Sequence, residues 1–199
     1  MIRTRNLWRN IKKAAKQPGY AAQVLSRRSR IALAYAKGDG ESPFPEALTF
    51  FLVHRCNLRC HMCGQWGDGG ASFSLPQAAL QAELSPDEIN RVLDDVGKWR
   101  PNITLFGGEP TLHRYFLDVL RGMKARGLHC TLISNGSMLP RQAEGMVEAG
   151  LDELNLSVDG PPAMHDEVRR VPGLFNTIVQ GIEKVREAQA RTGKTRPIV

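Results

Sequence analysis

Apolar, β-prone runs alternate with helix-patterned segments along most of this chain, and that order constrains it to parallel βα units. The runs lie at 47–53, 102–106, 128–133 and 154–158. Ser85-Pro86-Asp87-Glu88 reads as a helix start, with Ser85 as N-cap, Pro86 in the first turn and Glu88 closing a capping box. Ile89, Val92, Leu93 and Val96 follow at helical intervals. A helix near 112–126 carries Phe116, Val119, Leu120 and Met123 on one face, and Gly127 stops it. Pro140 opens another helix that Gly150 ends, and Phe175, Ile178, Val179, Ile182 and Val185 mark a further one. Pro197-Ile198-Val199 reads as the opening of a fifth strand. Parallel neighbours need long, right-handed crossovers, which these helices supply. A dinucleotide-binding arrangement is excluded, because no G-x-G-x-x-G follows the first run.

Three of the four cysteines fall in the run CNLRCHMC: Cys56, Cys60 and Cys63. Their spacing would align them on one helix face. The flanks place them in a loop instead, with a strand before them and Gly64, Gly67, Gly69 and Gly70 after. Three clustered thiols cannot all pair with one another, so disulfides are not expected. A metal accounts for them. Three thiolates leave one iron of a [4Fe–4S] cluster without a protein ligand, open to a substrate or cofactor. A zinc site completed by His54 or His61 is the alternative, although such sites usually want a second cysteine pair downstream. Cys130, inside a strand run, is expected to be an inert buried thiol.

Gly107-Gly108-Glu109-Pro110 directly follows the second run. Its glycines allow close backbone approach to a ligand, and its carboxylate suits an ammonium group. Ser134-Asn135-Gly136 and Ser157-Val158-Asp159-Gly160 end the third and fourth runs. All four motifs thus fall at strand C-termini, the rim where βα folds gather functional groups.

These residues together resemble the radical S-adenosylmethionine (radical SAM) superfamily over about residues 45–199. The stretch from Ser157 to Arg169 is similar to its branch of peptide- and sulfatase-maturing members. The resemblance implies an incomplete parallel (βα) barrel of about six units, of which about four and the start of a fifth are present. The chain is therefore expected to be a fragment of a longer protein. It implies a [4Fe–4S] cluster held by Cys56, Cys60 and Cys63, with S-adenosylmethionine chelating the fourth iron. Glu109 is expected to accept hydrogen bonds from its amino group, with Gly107, Gly108 and Pro110 alongside the methionine moiety. Ser157 and Asp159 are assigned to the ribose or carboxylate, Arg169 to the methionine carboxylate, and Ser134 and Asn135 to the ribose side. Met62 holds a position that is often aromatic in the family, and its backbone is assigned to the adenine edge. The implied reaction is reductive cleavage to a 5′-deoxyadenosyl radical that abstracts hydrogen. A peptide is the first expected substrate and a lipid or isoprenoid the second. A flavodoxin or ferredoxin is the implied reductant, and a reducing compartment, most simply the cytoplasm, the implied location. No general acid or base is assigned; His54, His61, His113 and His165 stay without roles. A non-catalytic interaction module stabilised by zinc or iron–sulfur is the alternative from another class.

Residues 1–44 read as a separate basic, helical extension and linker ahead of the core at 45–199. Residues 1–40 hold ten Lys or Arg and one acid, Asp39, out of 27 basic and 20 acidic residues in the chain. The net charge of +7 is thus an N-terminal property. Leu7, Trp8, Ile11 and Ala15 fit one face of a helix with cations opposite, suited to an anionic membrane surface or an acidic partner. Nucleic acid is not favoured, since aromatic interleaving and a known module are missing. No run reaches the roughly 18 apolar residues of a membrane span. The 42% apolar content fits a globular core plus an extension.

Overall fold

A computed structural model describes residues 4–199, with the side chains of Trp8 and of residues 11–199. Leu7, assigned above to an apolar face, lies outside the described side chains. The chain forms two compact units, Met1–Glu46 and Ala47–Val199. The first contains α1 (Thr4–Lys16) and α2 (Pro18–Lys37). Gly38, in the left-handed conformation at φ 67°, ends α2. Among the described residues no helix is long and apolar enough to cross a membrane.

The second unit is an α/β layer structure around one open sheet. Its strands are β1 (Ala47–Phe51), β2 (Asn102–Phe106), β3 (His129–Ser134) and β4 (Glu153–Leu156). They pair in parallel in sequence order. The register sets Leu48 beside Ile103, Ile103 beside Cys130 and Leu132 beside Leu154. The helices are α3 (Gln77–Gln81), α4 (Pro86–Val96), α5 (Phe116–Ala125), α6 (Leu139–Ala149), α7 (Pro162–Arg169) and α8 (Leu174–Thr192). The strand–helix order led to these parallel βα units, and the open sheet fits the incomplete barrel that the resemblance implied. The fifth strand begins as a bridge: the Leu154 N–H donates to the Ile198 carbonyl at 2.8 Å, and the Ile198 N–H to the Asp152 carbonyl at 2.9 Å.

Local signals determine where the helices begin and end. At α4 the Ser85 hydroxyl accepts from the Glu88 N–H, and the Glu88 carboxylate accepts from the Ser85 N–H at 2.8 Å. Ile89 and Leu93 of α4 and Leu120 and Met123 of α5 are fully enclosed against Ile103, Leu105 and Leu132. Truncating one such Leu to Ala costs about 2–5 kcal/mol. Val92 and Val179, expected within the helical patterns, are exposed.

Immediately before β4, Asp152 is fully buried and accepts from the Cys130 N–H at 2.9 Å, from Lys124 and from Arg196. These bonds tie the end of α6 to β3 and to the incoming fifth strand. Cys130 is buried, and that burial pushes its thiol up to about 12, as suits an inert core residue.

The sequence expected one helix near 112–126, but the chain makes a 3₁₀ turn at Pro110–Leu112 and starts α5 at Phe116. The turn does not run on into the helix because His113, which follows it, is extended at φ −62° and ψ 130°, while Glu109 caps its start by accepting from the Thr111 N–H at 3.1 Å. Helix α7 was not foreseen. It buries a single residue, His165, so its sequence carries no apolar stripe.

Candidate metal and cofactor site

The cysteine run leaves the end of β1 as irregular loop, which removes the helix-stripe reading of its spacing. Leu58, Leu174 and Ile178 form an apolar wall around buried Cys60, with Cys56 and Cys63 half-buried at its margin. Each sulfur faces an N–H donor. Cys56 Sγ accepts from the Leu58 N–H at 3.5 Å and from Asn135 Nδ2 at 3.6 Å. Cys63 Sγ accepts from the Trp66 N–H at 3.3 Å. Arg169 Nη1 lies 3.8 Å from Cys60 Sγ.

These environments separate the thiols. Burial pushes Cys56 up to about 11, with the nearby negative charge of Glu109 adding to it. Burial also raises Cys60, and Arg169 offsets part of that. At Cys63 burial raises the pKa, but the N–H groups of Trp66, Gln65 and Gly67 outweigh it and hold the thiol below its ordinary value. Thiols must shed their protons to bind metal, so metal loading here is coupled to proton release.

The loop closes over itself after Cys63. The Gly67 N–H donates to the Cys63 carbonyl at 3.1 Å. A Cβ at Gly67 would sit 2.6 Å from that carbonyl oxygen and 2.8 Å from that of Cys60. The Arg59 guanidinium is sandwiched between the rings of Trp66, at 4.5 Å, and Phe73, at 4.3 Å, and donates to the Trp66 carbonyl at 3.0 Å. Sequence reasoning missed this clamp. The available signal was an arginine inside the cysteine run followed by two aromatics in a Gly-rich loop.

Gly107 and Gly108 face the chain's own backbone. Gly107 adopts φ 145°, and a Cβ there would lie 2.6 Å from the Val53 carbonyl oxygen; one on Gly108 would collide with Arg55. The Gly108 and Glu109 N–H groups donate to the Val53 and Arg55 carbonyls at 2.8 and 2.9 Å. The two glycines therefore let the segment leading into the cysteines lie flat on the end of β2. Pro110 is buried in the 3₁₀ turn that follows.

Glu109 is fully buried and joins three strand ends. Its Oε1 accepts from the Thr111 N–H at 3.1 Å, Thr111 Oγ1 at 2.6 Å and Ser134 Oγ at 2.9 Å, and its Oε2 from the Asn135 N–H at 2.8 Å. Asn135 Nδ2 donates onward to Asn57 Oδ1 at 3.1 Å. The cysteine loop, GGEP and the Ser134–Asn135 turn thus form one connected network.

The fourth strand end joins through backbone and charge. The Ser157 N–H donates to the Ser134 carbonyl at 3.0 Å. Asp159 is gripped by Arg169 through Nε at 2.6 Å and Nη2 at 2.9 Å, and lies 3.3 Å from His165 Nδ1. Arg169 holds the Asp159 carboxyl below the usual carboxylate range. The His61 N–H donates to the Val168 carbonyl at 3.0 Å, which ties the end of α7 to the cysteine loop. Met62 projects outward, 55% exposed.

The donor set suits an iron–sulfur cubane. Three thiols on one loop, each facing an N–H donor, lie beside an apolar wall. Among the described residues no three His, Cys, Asp or Glu side chains form a set able to hold a single metal ion. A cubane does not need such convergence, because it offers a separate iron to each thiolate.

The Radical SAM superfamily profile matches residues 51–199. The chain belongs to this superfamily. It is 33% identical to an AdoMet-dependent heme synthase of Methanosarcina barkeri over 147 residues, 72% of this chain and 40% of that protein. It is 30% identical to a probable GTP 3′,8-cyclase of Saccharolobus solfataricus, across 69% of this chain and 42% of that one. Among solved structures it resembles SuiB of Streptococcus suis bound to its precursor peptide SuiA. There the TM-score is 0.62 at 16% identity, over 78% of this chain and 33% of that one. SuiB bound to S-adenosylmethionine gives a TM-score of 0.61 at 16% identity, over 84% of this chain and 36% of that one. The chain spans about two fifths of the length of the curated relatives it matches.

Proposed function

We propose that this chain is the radical-initiating part of an enzyme. Cys56, Cys60 and Cys63 would hold a [4Fe–4S] cluster, and the surrounding strand ends would receive S-adenosylmethionine. The observation that carries this reading is the joining of four separate strand-end motifs into one network around three thiols. When bound, the cofactor pair supplies one-electron chemistry: reductive cleavage of a sulfonium and hydrogen abstraction from an unreactive carbon.

The residues of the chain do the positioning. Glu109 Oε2 carries one hydrogen bond and so retains acceptor capacity for an ammonium group; the carboxylate is fully buried, so the turn residues over it would have to shift to admit one. Asn135 and Ser157 bracket the same rim and are assigned to the ribose side. Arg169 divides its donors between Asp159 and Cys60, and Asp159 orients it. The apolar wall of Leu58, Leu174 and Ile178 keeps water from one side of the sulfurs. Met62 contributes its backbone to the adenine edge. A low-potential reductant such as a flavodoxin or ferredoxin, in a reducing compartment, completes the assignment.

For the substrate, a peptide is supported by the Ser157–Arg169 stretch and by the fold likeness to SuiB. A haem-type tetrapyrrole is the second reading, supported by the 33% identity to a heme synthase. Absorbance titration with an iron porphyrin against calorimetry with precursor-type peptides separates the two.

Anaerobic reconstitution tests the core of the proposal. The expected result is about four irons and four sulfides per chain, lost in Cys60→Ala, with 5′-deoxyadenosine formed from S-adenosylmethionine under strong reduction. One zinc per chain without sulfide would overturn it. An intact cluster without cleavage would reduce it to a scaffold.

A further inference from the structure

We propose that the first unit docks on an anionic lipid surface through α1, independently of the cluster site. The first 38 residues contain ten cationic side chains and no acidic one. Along α1, Trp8, Ile11 and Ala15 follow at helical spacing, with Lys12 and Lys16 flanking the stripe along one edge and Lys13 on the opposite side. The stripe faces solvent: Trp8 is 66% exposed and Ile11 49%. Helix α2 adds Leu25 and Leu33, at 68% and 65% exposure.

Large apolar side chains facing water beside an excess of cations need a partner that supplies two things at once. It must offer a negative surface for the lysines and an apolar phase for Trp8 and Ile11. A nucleic acid offers phosphates but no such phase for Ile11 or Leu25. A bilayer rich in anionic lipid offers both, with the indole ring at the headgroup level. No described helix is long and apolar enough to span the bilayer, so α1 lies in the plane of the interface.

The test is co-sedimentation of the full chain with vesicles of phosphatidylcholine, with and without phosphatidylglycerol. Binding is expected only to the anionic vesicles, weakening as salt rises. Trp8→Ala combined with Ile11→Ser is expected to weaken it about tenfold or more, and Lys12→Glu with Lys13→Glu to abolish it. Iron content after reconstitution confirms that residues 47–199 remain folded in each variant. Binding to neutral and anionic vesicles alike, or to neither, would overturn the proposal. So would self-association that the apolar variant removes, or RNA binding stronger than vesicle binding and indifferent to the Trp8 and Ile11 changes.

Discussion

Arg169 bridges two charges: it grips both oxygens of Asp159, at 2.6 and 2.9 Å, and points Nη1 at Cys60 Sγ from 3.8 Å. A cation beside a cluster ligand favours the more negative, reduced form. Arg169→Met is therefore expected to lower the cluster midpoint potential, on the order of tens of millivolts. Asp159→Asn leaves the same cation unbalanced and shifts it the opposite way. Potentiometric titration followed by electron paramagnetic resonance reads both. Shifts of the same sign would contradict the bridge.

Glu109 receives four hydrogen bonds without any exposure to solvent. Glu109→Gln replaces one acceptor oxygen with a donor that faces donors. The expected loss is about 2–4 kcal/mol of stability, together with weaker S-adenosylmethionine binding. Urea unfolding of the apo chain isolates the first effect, and calorimetry on the cluster-loaded chain the second.

His129 is buried, and that burial pushes its pKa down to about 4, with Asp152 and Glu153 pulling weakly the other way. Its folded pKa lies below the ordinary histidine value of about 6.5, so the unfolded chain takes up the proton first. Its share of stability is complete above about pH 6.5 and is lost as pH falls toward 4, on the order of 3 kcal/mol in all. His129→Gln is expected to flatten that part of the profile. Urea midpoints at about pH 7 and about pH 5, wild type against variant, check it.

Gly67→Ala places a methyl group 2.6 Å from the Cys63 carbonyl oxygen. Cluster incorporation is expected to fall severalfold through displacement of Cys60 and Cys63, with the core unfolding transition little changed. Gly64→Ala is the control, because nothing lies within 4 Å of a Cβ there. Iron per chain after reconstitution reads the difference.

Much of the fold was legible because its signals are local. The Ser85–Glu88 capping box, the stops at Gly127 and Gly150, and the strand limits at 102 and 106 depend on residues a few positions apart. Helix α7 escaped because one buried histidine makes no pattern. At the site, the cysteine run and the strand-end motifs were visible as clusters of residue types. The stacking of Arg59 between Trp66 and Phe73 was not, since no period links those positions. That Gly107 and Gly108 pack against the Val53 and Arg55 backbone was also not legible, because sequence shows that a close approach is possible but not which of the chain's own segments makes one.

The order of strands and helices, and the choice of three thiols ahead of three strand-end turns, were written in the chain itself. Short-range sterics, capping and hydrophobic periodicity act between near neighbours and need no partner. Only the tertiary structure decided that Glu109 would bind Ser134 and Asn135, or that Arg169 would reach Cys60 across 109 positions. Those pairings depend on how parallel strands stack in register, a geometry that exists only once the sheet has formed.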